Sequence, residues 1–165
     1  MSHLGITIRR ATPVDAAVVH AITQEAFANY SKKLGCSVAA QRESLADVAC
    51  ELQEKTVFLS LLDGRVMGAV RLEKKNGWGY FSRFGVRKTN RNNGLGAALI
   101  NAATDWARQN DLNGLVLYTA STMLTLVRFY YSHGFYIDST DKSQGYVRAL
   151  LVKPLKEGAA LTPFP

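Results

Sequence analysis

Residues 86–97, VRKTNRNNGLGA, place Arg87, Lys88, Arg91 and the amides of Asn92 and Asn93 ahead of Gly94 and Gly96. Apolar residues at Leu95, Leu99, Ile100, Ala103, Trp106 and Ala107 then follow helical spacing. A cationic loop that opens a helix is built for anions. Free N–H groups point outward at a helix start, and the helix dipole favours negative charge there. Glycine at 94 and 96 permits positive φ and lets a ligand approach the backbone closely. Arg91, with Arg87 and Lys88 nearby, adds charge-assisted contacts. The P-loop pattern GxxxxGK[ST] is absent, and GxGxxG fails because Gly96 is followed by Ala97-Ala98-Leu99. The same residues would also serve as a solvated basic turn whose glycines allow tight packing.

The elements around this loop alternate between the two periodicities. ITIRRA (6–11) alternates as a strand, and Thr12-Pro13 gives a helix cap with proline at the first helical position. Ala16, Val19, Ala26 and Phe27 form one stripe of a helix expected to reach about Tyr30. A loop around Gly35 precedes a second helix near 40–53, with Leu45, Val48, Ala49 and Leu52 on one face. Strands are expected at 56–63, 65–74 and 78–86, turned by Asp63-Gly64 and Asn76-Gly77 as an antiparallel meander. The helix after Gly94 stops at Asn113-Gly114, and GLVLYT (114–119) reads as a buried strand. A helix from about Thr122 to His133 ends at Gly134, followed by strands at 135–140 and 146–155. The order β-α-α-β-β-β-α-β-α-β-β predicts a mixed sheet with helices packed on it.

With 165 residues, 47% apolar and 20% charged, the chain fits one folded domain and not a disordered segment. No apolar run approaches the roughly 18 residues of a membrane span. The start MSHLGITIRR shows no signal-peptide pattern, so a cytoplasmic location is expected. Cys36 and Cys50 form no CxxC pair and read as reduced thiols, while His3, His20 and His133 lack metal-ligand spacing, so no metal is expected. The net charge of +7 favours an anionic partner. Nucleic acid is not expected, because the aromatics lie within apolar strands and helices and no nucleic-acid-binding motif occurs.

Two motifs on these elements resemble one family. VRKTNRNNGLGAALI is similar to motif A of the GNAT N-acetyltransferases, with Arg91, Gly94 and Gly96 at the Arg/Gln-x-x-Gly-x-Gly/Ala positions after Val86. RFYYSHGF (128–135) resembles the family's closing signature, a tyrosine four residues before Gly-Phe. The resemblance covers about residues 4–155, leaving a short tail at 156–165. It implies an α+β GNAT-like fold: a mostly antiparallel mixed sheet of about seven strands with about four helices, splayed between the fourth and fifth strands.

The resemblance also assigns roles. Acetyl-CoA is the implied co-substrate and an amine the acceptor. Phe84, Gly85 and Val86 would offer strand backbone to the pantetheine arm. The amides of Asn92, Asn93, Gly94, Leu95, Gly96 and Ala97 would hold the diphosphate, with Arg91 at its edge. Arg87, Lys88 and Arg91 would also face the 3′-phosphate. A backbone N–H near Val86 would stabilise the oxyanion. Tyr130 would protonate the departing thiolate, a task suited to a phenol of pKa about 10. Tyr131, one residue away, is expected as packing or substrate wall. A homodimer is compatible with the resemblance, though no residue demands one.

The chain departs from the family pattern at the base. The strand positions where many relatives carry glutamate are Tyr80 and Ser82. Glu73 and Glu43 are candidate acids, each expected mainly as a solvated charge, and a water chain would serve instead. The asparagine that many relatives place seven residues before the tyrosine is Met123. Glu25, Tyr30, Glu43, Asp138 and Asp141 lie where an amine acceptor would be shaped, most of them expected as surface groups. A non-catalytic acyl-CoA-binding sensor or scaffold is the competing expectation.

Overall fold

The computed structural model describes residues 5–88 and 94–161. Seven strands form one sheet in the order β1-β2-β3-β4-β5-β7-β6. They are β1 Ile6–Arg10, β2 Thr56–Leu62, β3 Arg65–Lys75, β4 Trp78–Val86, β5 Gly114–Ala120, β6 Tyr136–Asp141 and β7 Arg148–Pro154. The helices are α1 Ala16–Leu34, α2 Leu45–Glu54, α3 Leu95–Gln109 and α4 Leu124–Ser132. Pairing is antiparallel for β1–β2, β2–β3, β5–β7 and β6–β7. It is parallel for β4–β5, through Gly79–Leu115 and Tyr80–Val116. Among the described residues no helix is long and apolar enough to cross a membrane.

Chain contacts define two compact units, one made of residues up to Leu72 with Arg83–Ala102, the other of Glu73–Ser82 with the chain from Ala103. The first buries Val19 and Ile22 of α1 and Val48 and Leu52 of α2 with Val57, Leu59, Leu61 and Ala69 of the strands. The second buries Trp78, Val116, Leu150 and Val152, with Tyr80, Tyr118, Ala159 and Leu161 packed against them. In each, strand side chains alternate between faces, so one set reaches a core.

Local chemistry explains most boundaries. Asp63-Gly64 (φ 49° and 82°) and Asn76-Gly77 (φ 51° and 82°) both adopt positive φ, as tight hairpin turns of this kind require. Helix α1 continues one turn past its expected end at Tyr30, because the polar run Ser31-Lys32-Lys33 still suits a helix and Gly35 supplies the left-handed stop at φ 84°. The expected helix over 40–53 divides. A 3₁₀ turn at Ala39–Arg42 comes first, and Ser44 then restarts the chain as the cap of α2, its hydroxyl accepting the Asp47 N–H at 3.1 Å. Glu43 thus stands between two helical pieces and not within one. Helix α4 begins at Leu124, two residues later than expected.

Asp15 closes the first turn after β1. It accepts the Thr12 N–H at 2.9 Å and both arms of the Arg9 guanidinium at 2.9 and 2.8 Å. The Arg9 hydrogen bonds hold its carboxyl below the ordinary range, helped by the Thr12 N–H and opposed by burial. Asp15→Asn should therefore cost about 1–2 kcal/mol at pH 7. A carboxyl with a lowered folded pKa stabilises above its unfolded pKa, and that stabilisation fades as pH falls through the folded value. Urea unfolding of both proteins at pH 7 and in acid should show the gap narrowing in acid; a gap independent of pH would contradict this role.

Candidate functional site

The first unit carries the end of β4, the start of α3 and the helix α1. Gly94 has φ 76°, the positive value that the loop reading requires. Its carbonyl accepts the Ala98 N–H at 3.0 Å, which makes it the residue from which α3 launches. The N–H groups of Leu95, Gly96 and Ala97 precede the first helical donor, so helix geometry leaves them available to an outside acceptor. Leu95, Leu99 and Ile100 are buried and anchor the helix start. Gly96 is not at positive φ; its lack of a side chain matters only for close approach. Arg91, Asn92 and Asn93 lie outside the described residues.

Arg83, Gly85 and Arg87 all meet the helical layer. The Arg83 Nε lies 3.4 Å from Glu43 Oε1, and the Arg87 Nε lies 3.4 Å from Glu25 Oε2 on α1. Between them, a Cβ added to Gly85 would stand 2.7 Å from the Ala26 Cβ and 3.8 Å from Ile22. The helix packs directly on this backbone, which explains the glycine. The Arg87 N–H donates to the Met67 carbonyl at 2.7 Å, so β4 remains tied to β3 beyond its last residue. The expected basic trio is thereby divided: Arg87 is paired with Glu25, Lys88 is exposed, and Arg91 is outside the described residues.

Glu43 is the main correction to the sequence reading. It is not a solvated charge. Its carboxylate takes Arg71 Nη1 at 2.7 Å and Nη2 at 3.0 Å, with Arg71 itself only 1% exposed. Arg71 Nη1 also reaches Glu51 at 3.2 Å, and Nη2 reaches the Thr23 hydroxyl at 3.2 Å. Both Glu43 oxygens are thus occupied, which disfavours it as a base that collects a substrate proton. Sequence reading missed Arg71 as its partner. The available signal was a lone cation inside the apolar run VMGAVRL, since a buried arginine must find carboxylates.

The second unit carries Tyr130. It lies on α4, 5% exposed, with its ring against Phe81 (6.0 Å between centroids), Phe129 (5.8 Å) and Phe135 (5.5 Å). Its carbonyl accepts the N–H groups of His133 and Phe135 at 3.0 and 3.1 Å. With Gly134 at φ 91°, this reversal accounts for the four-residue spacing from Tyr130 to Gly134-Phe135. Tyr131 is half exposed, and its hydroxyl accepts the Ile137 N–H at 3.2 Å, so it clasps β6. Met123 is buried at the cap of α4.

The remaining candidates are held by neighbours. Glu73 lies 3.4 Å from Lys75, whose ammonium sits 4.8 Å from the centre of the Tyr80 ring. Tyr80 meets Tyr118 edge-on at 6.4 Å, and the Arg148 guanidinium stacks over Tyr118 at 3.9 Å while binding Asp141 at 2.9 Å. Burial raises the Tyr118 hydroxyl's pKa, partly offset by Arg148. Asp138 lies within β6, and Asp141 is that strand's last residue. Tyr30 packs on Phe27 at 5.6 Å. No group of three or more His, Cys, Asp or Glu able to hold a metal occurs among the described residues.

A mixed sheet with a parallel β4–β5 pair, a glycine-launched helix after β4 and a tyrosine four residues before Gly-Phe define an acyl-CoA-type transferase fold. The family model described as "Acetyltransferase (GNAT) family" matches residues 19–135, and the chain belongs to that family. Streptothricin acetyltransferase A of Bacillus subtilis (strain 168) is 32% identical over 92 residues, 55% of this chain and 53% of that protein. The chain thus spans about half the length of the curated relative it matches. Among solved structures, the PaiA N-acetyltransferase from Thermoplasma acidophilum, crystallised with coenzyme A, superposes with a TM-score of 0.78 at 17% identity, covering 93% of this chain and 99% of that one. The ribosomal-protein-S18-alanine N-acetyltransferase from Escherichia coli gives 0.74 at 16% identity, covering 96% and 99%. At these identities the structures attest the fold.

Proposed function

We propose that the chain is an acetyl-CoA-dependent N-acetyltransferase acting on a primary amine. The observation that carries this reading is the start of α3. Gly94 at φ 76° leaves unpaired helix N–H groups in a form that suits a diphosphate, at the motif positions of a family whose solved members include a coenzyme A complex. Gly94 to Ala97, with Asn92, Asn93 and Arg91, would hold that diphosphate, and the backbone of Phe84, Gly85 and Val86 would receive the pantetheine arm.

In this reading the amine nitrogen attacks the thioester carbonyl, the C–N bond forms, and the C–S pair leaves on sulfur. An N–H near Val86 steadies the developing oxyanion. Tyr130 gives its proton to the thiolate. The amine's proton leaves through water, because Glu43 is held by Arg71 and positions 80 and 82 are not acidic. The diphosphate grip belongs to the first unit and Tyr130 to the second. Holding both reactants side by side supplies much of the acceleration.

The acceptor named by the Bacillus relative is streptothricin, and it heads a panel with polyamines, amino acids and peptides bearing a free N-terminus. Free-thiol release from acetyl-CoA should depend on at least one of these amines. The absence of a free acid on β4 favours one competing reading, a non-catalytic acyl-CoA sensor. Saturable acetyl-CoA binding with no amine-dependent release across the panel would support that reading instead.

A further inference from the structure

Glu43 is held at its backbone and at its side chain. Its backbone carbonyl lies 3.0 Å from His20 Nε2, and Gln24 donates to the Ala40 carbonyl in the preceding turn at 3.2 Å, so α1 fixes the segment. Its side chain is fixed by both arms of the buried Arg71 on β3. An anchor restrained in this way can position something else. Arg83 also approaches the Glu43 Oε1, its Nε 3.4 Å away as an ion pair without a hydrogen bond.

Arg83 is unusual in its backbone. It has φ 52°, a left-handed conformation inside a strand, which departs from extended backbone and costs energy in any residue with a side chain. A left-handed residue turns the strand locally and re-aims the residues beyond it. Beyond Arg83 come Phe84, Gly85 and Val86, the backbone to which the proposed function gives the pantetheine arm and the oxyanion. Gly85 is seated against Ile22 and Ala26, and Arg87 is paired with Glu25. Glu43 is therefore the tie at the bent residue itself, and α1 supplies the ties farther along the strand.

We infer that Glu43 is a positioning residue: through Arg83 it holds the left-handed bend of β4 and so aims the N–H groups at Phe84–Val86. This rests on the acetyltransferase reading. The carboxylate touches no reacting atom and takes no proton. A change at Glu43 should reduce turnover and weaken acetyl-CoA affinity less than a change at the start of α3 does.

A purely structural role for the Glu43–Arg71 pair predicts something else, and a double-mutant cycle separates the two. Arg83→Gly removes the cation while permitting the same φ, because glycine adopts it freely. Glu43→Gln and Arg83→Gly should each lower kcat about tenfold at a temperature where both remain folded. The double variant should be no slower than the slower single, since both remove one tie. Losses that multiply to about a hundredfold would overturn the inference. Should Glu43→Gln fail to fold, with Arg71 left uncompensated, Arg83 alone still decides. Arg83→Lys should retain most of the turnover and Arg83→Met should lose about tenfold; equal kcat for the two would overturn it. Wild-type turnover in the same assay tests the acetyltransferase reading separately, so failure of one is distinguishable from failure of the other.

Discussion

Gly94→Val should weaken acetyl-CoA binding by roughly two to three orders of magnitude while leaving most of the fold intact. Two physical terms combine. Gly94 sits at φ 76°, a conformation that a β-branched residue adopts only with strain of about 1–2 kcal/mol. To relieve that strain the chain must shift φ, which re-aims the N–H groups of Leu95, Gly96 and Ala97. Each charge-assisted hydrogen bond lost from a phosphate costs about 1.5–3 kcal/mol. A total near 3–4 kcal/mol corresponds to the stated loss in affinity. Because Leu95, Leu99 and Ile100 are buried, α3 remains seated and thermal unfolding should change much less than binding. Gly94→Ala should fall between, with the strain but without the added branch. Calorimetric titration with acetyl-CoA measures the effect directly. Wild-type affinity in Gly94→Val would remove the start of α3 from the diphosphate site.

Tyr130→Phe should lower turnover by about a hundredfold, the lower end of what a positioned general acid supplies. The substitution keeps the ring that packs on Phe81, Phe129 and Phe135, and the backbone carbonyl that receives His133 and Phe135. Only the hydroxyl is lost. Acetyl-CoA affinity should remain within about twofold, because the proposed grip lies on other residues. An acyl donor with a more acidic thiol should recover much of the lost rate, since a better leaving group needs less protonation. Steady-state kcat and KM with both donors provide the comparison. Unchanged turnover, or an equal loss with both donors, would contradict the acid role.

The elements that could be read from the sequence were those governed by local rules. Asp63-Gly64 and Asn76-Gly77 turn as they do because glycine and short polar residues accept positive φ. Gly134 stops α4 for the same reason, and the distance from Tyr130 follows from one helical turn closed by Phe135. What could not be read depends on partners far along the chain. Glu43 reads as a surface charge until Arg71, 28 residues later, is seen to occupy both its oxygens. The left-handed Arg83 has no local signature, because arginine rarely adopts that φ by itself and needs the surrounding structure to hold it. Arg87 looks like a phosphate ligand when charge alone is considered. Strand alternation instead puts it on the same face as Arg83 and Gly85, beside Glu25 on α1.

Transfer of the acetyl group to an amine is tested most directly by stoichiometry. With an acceptor from the panel, free thiol and N-acetylated amine should be quantified together, by thiol titration and mass spectrometry. The two should accumulate one for one, and only when acetyl-CoA, amine and protein are all present. Thiol released without acetylated amine, or acetyl-CoA bound and never turned over with any acceptor, would contradict transfer.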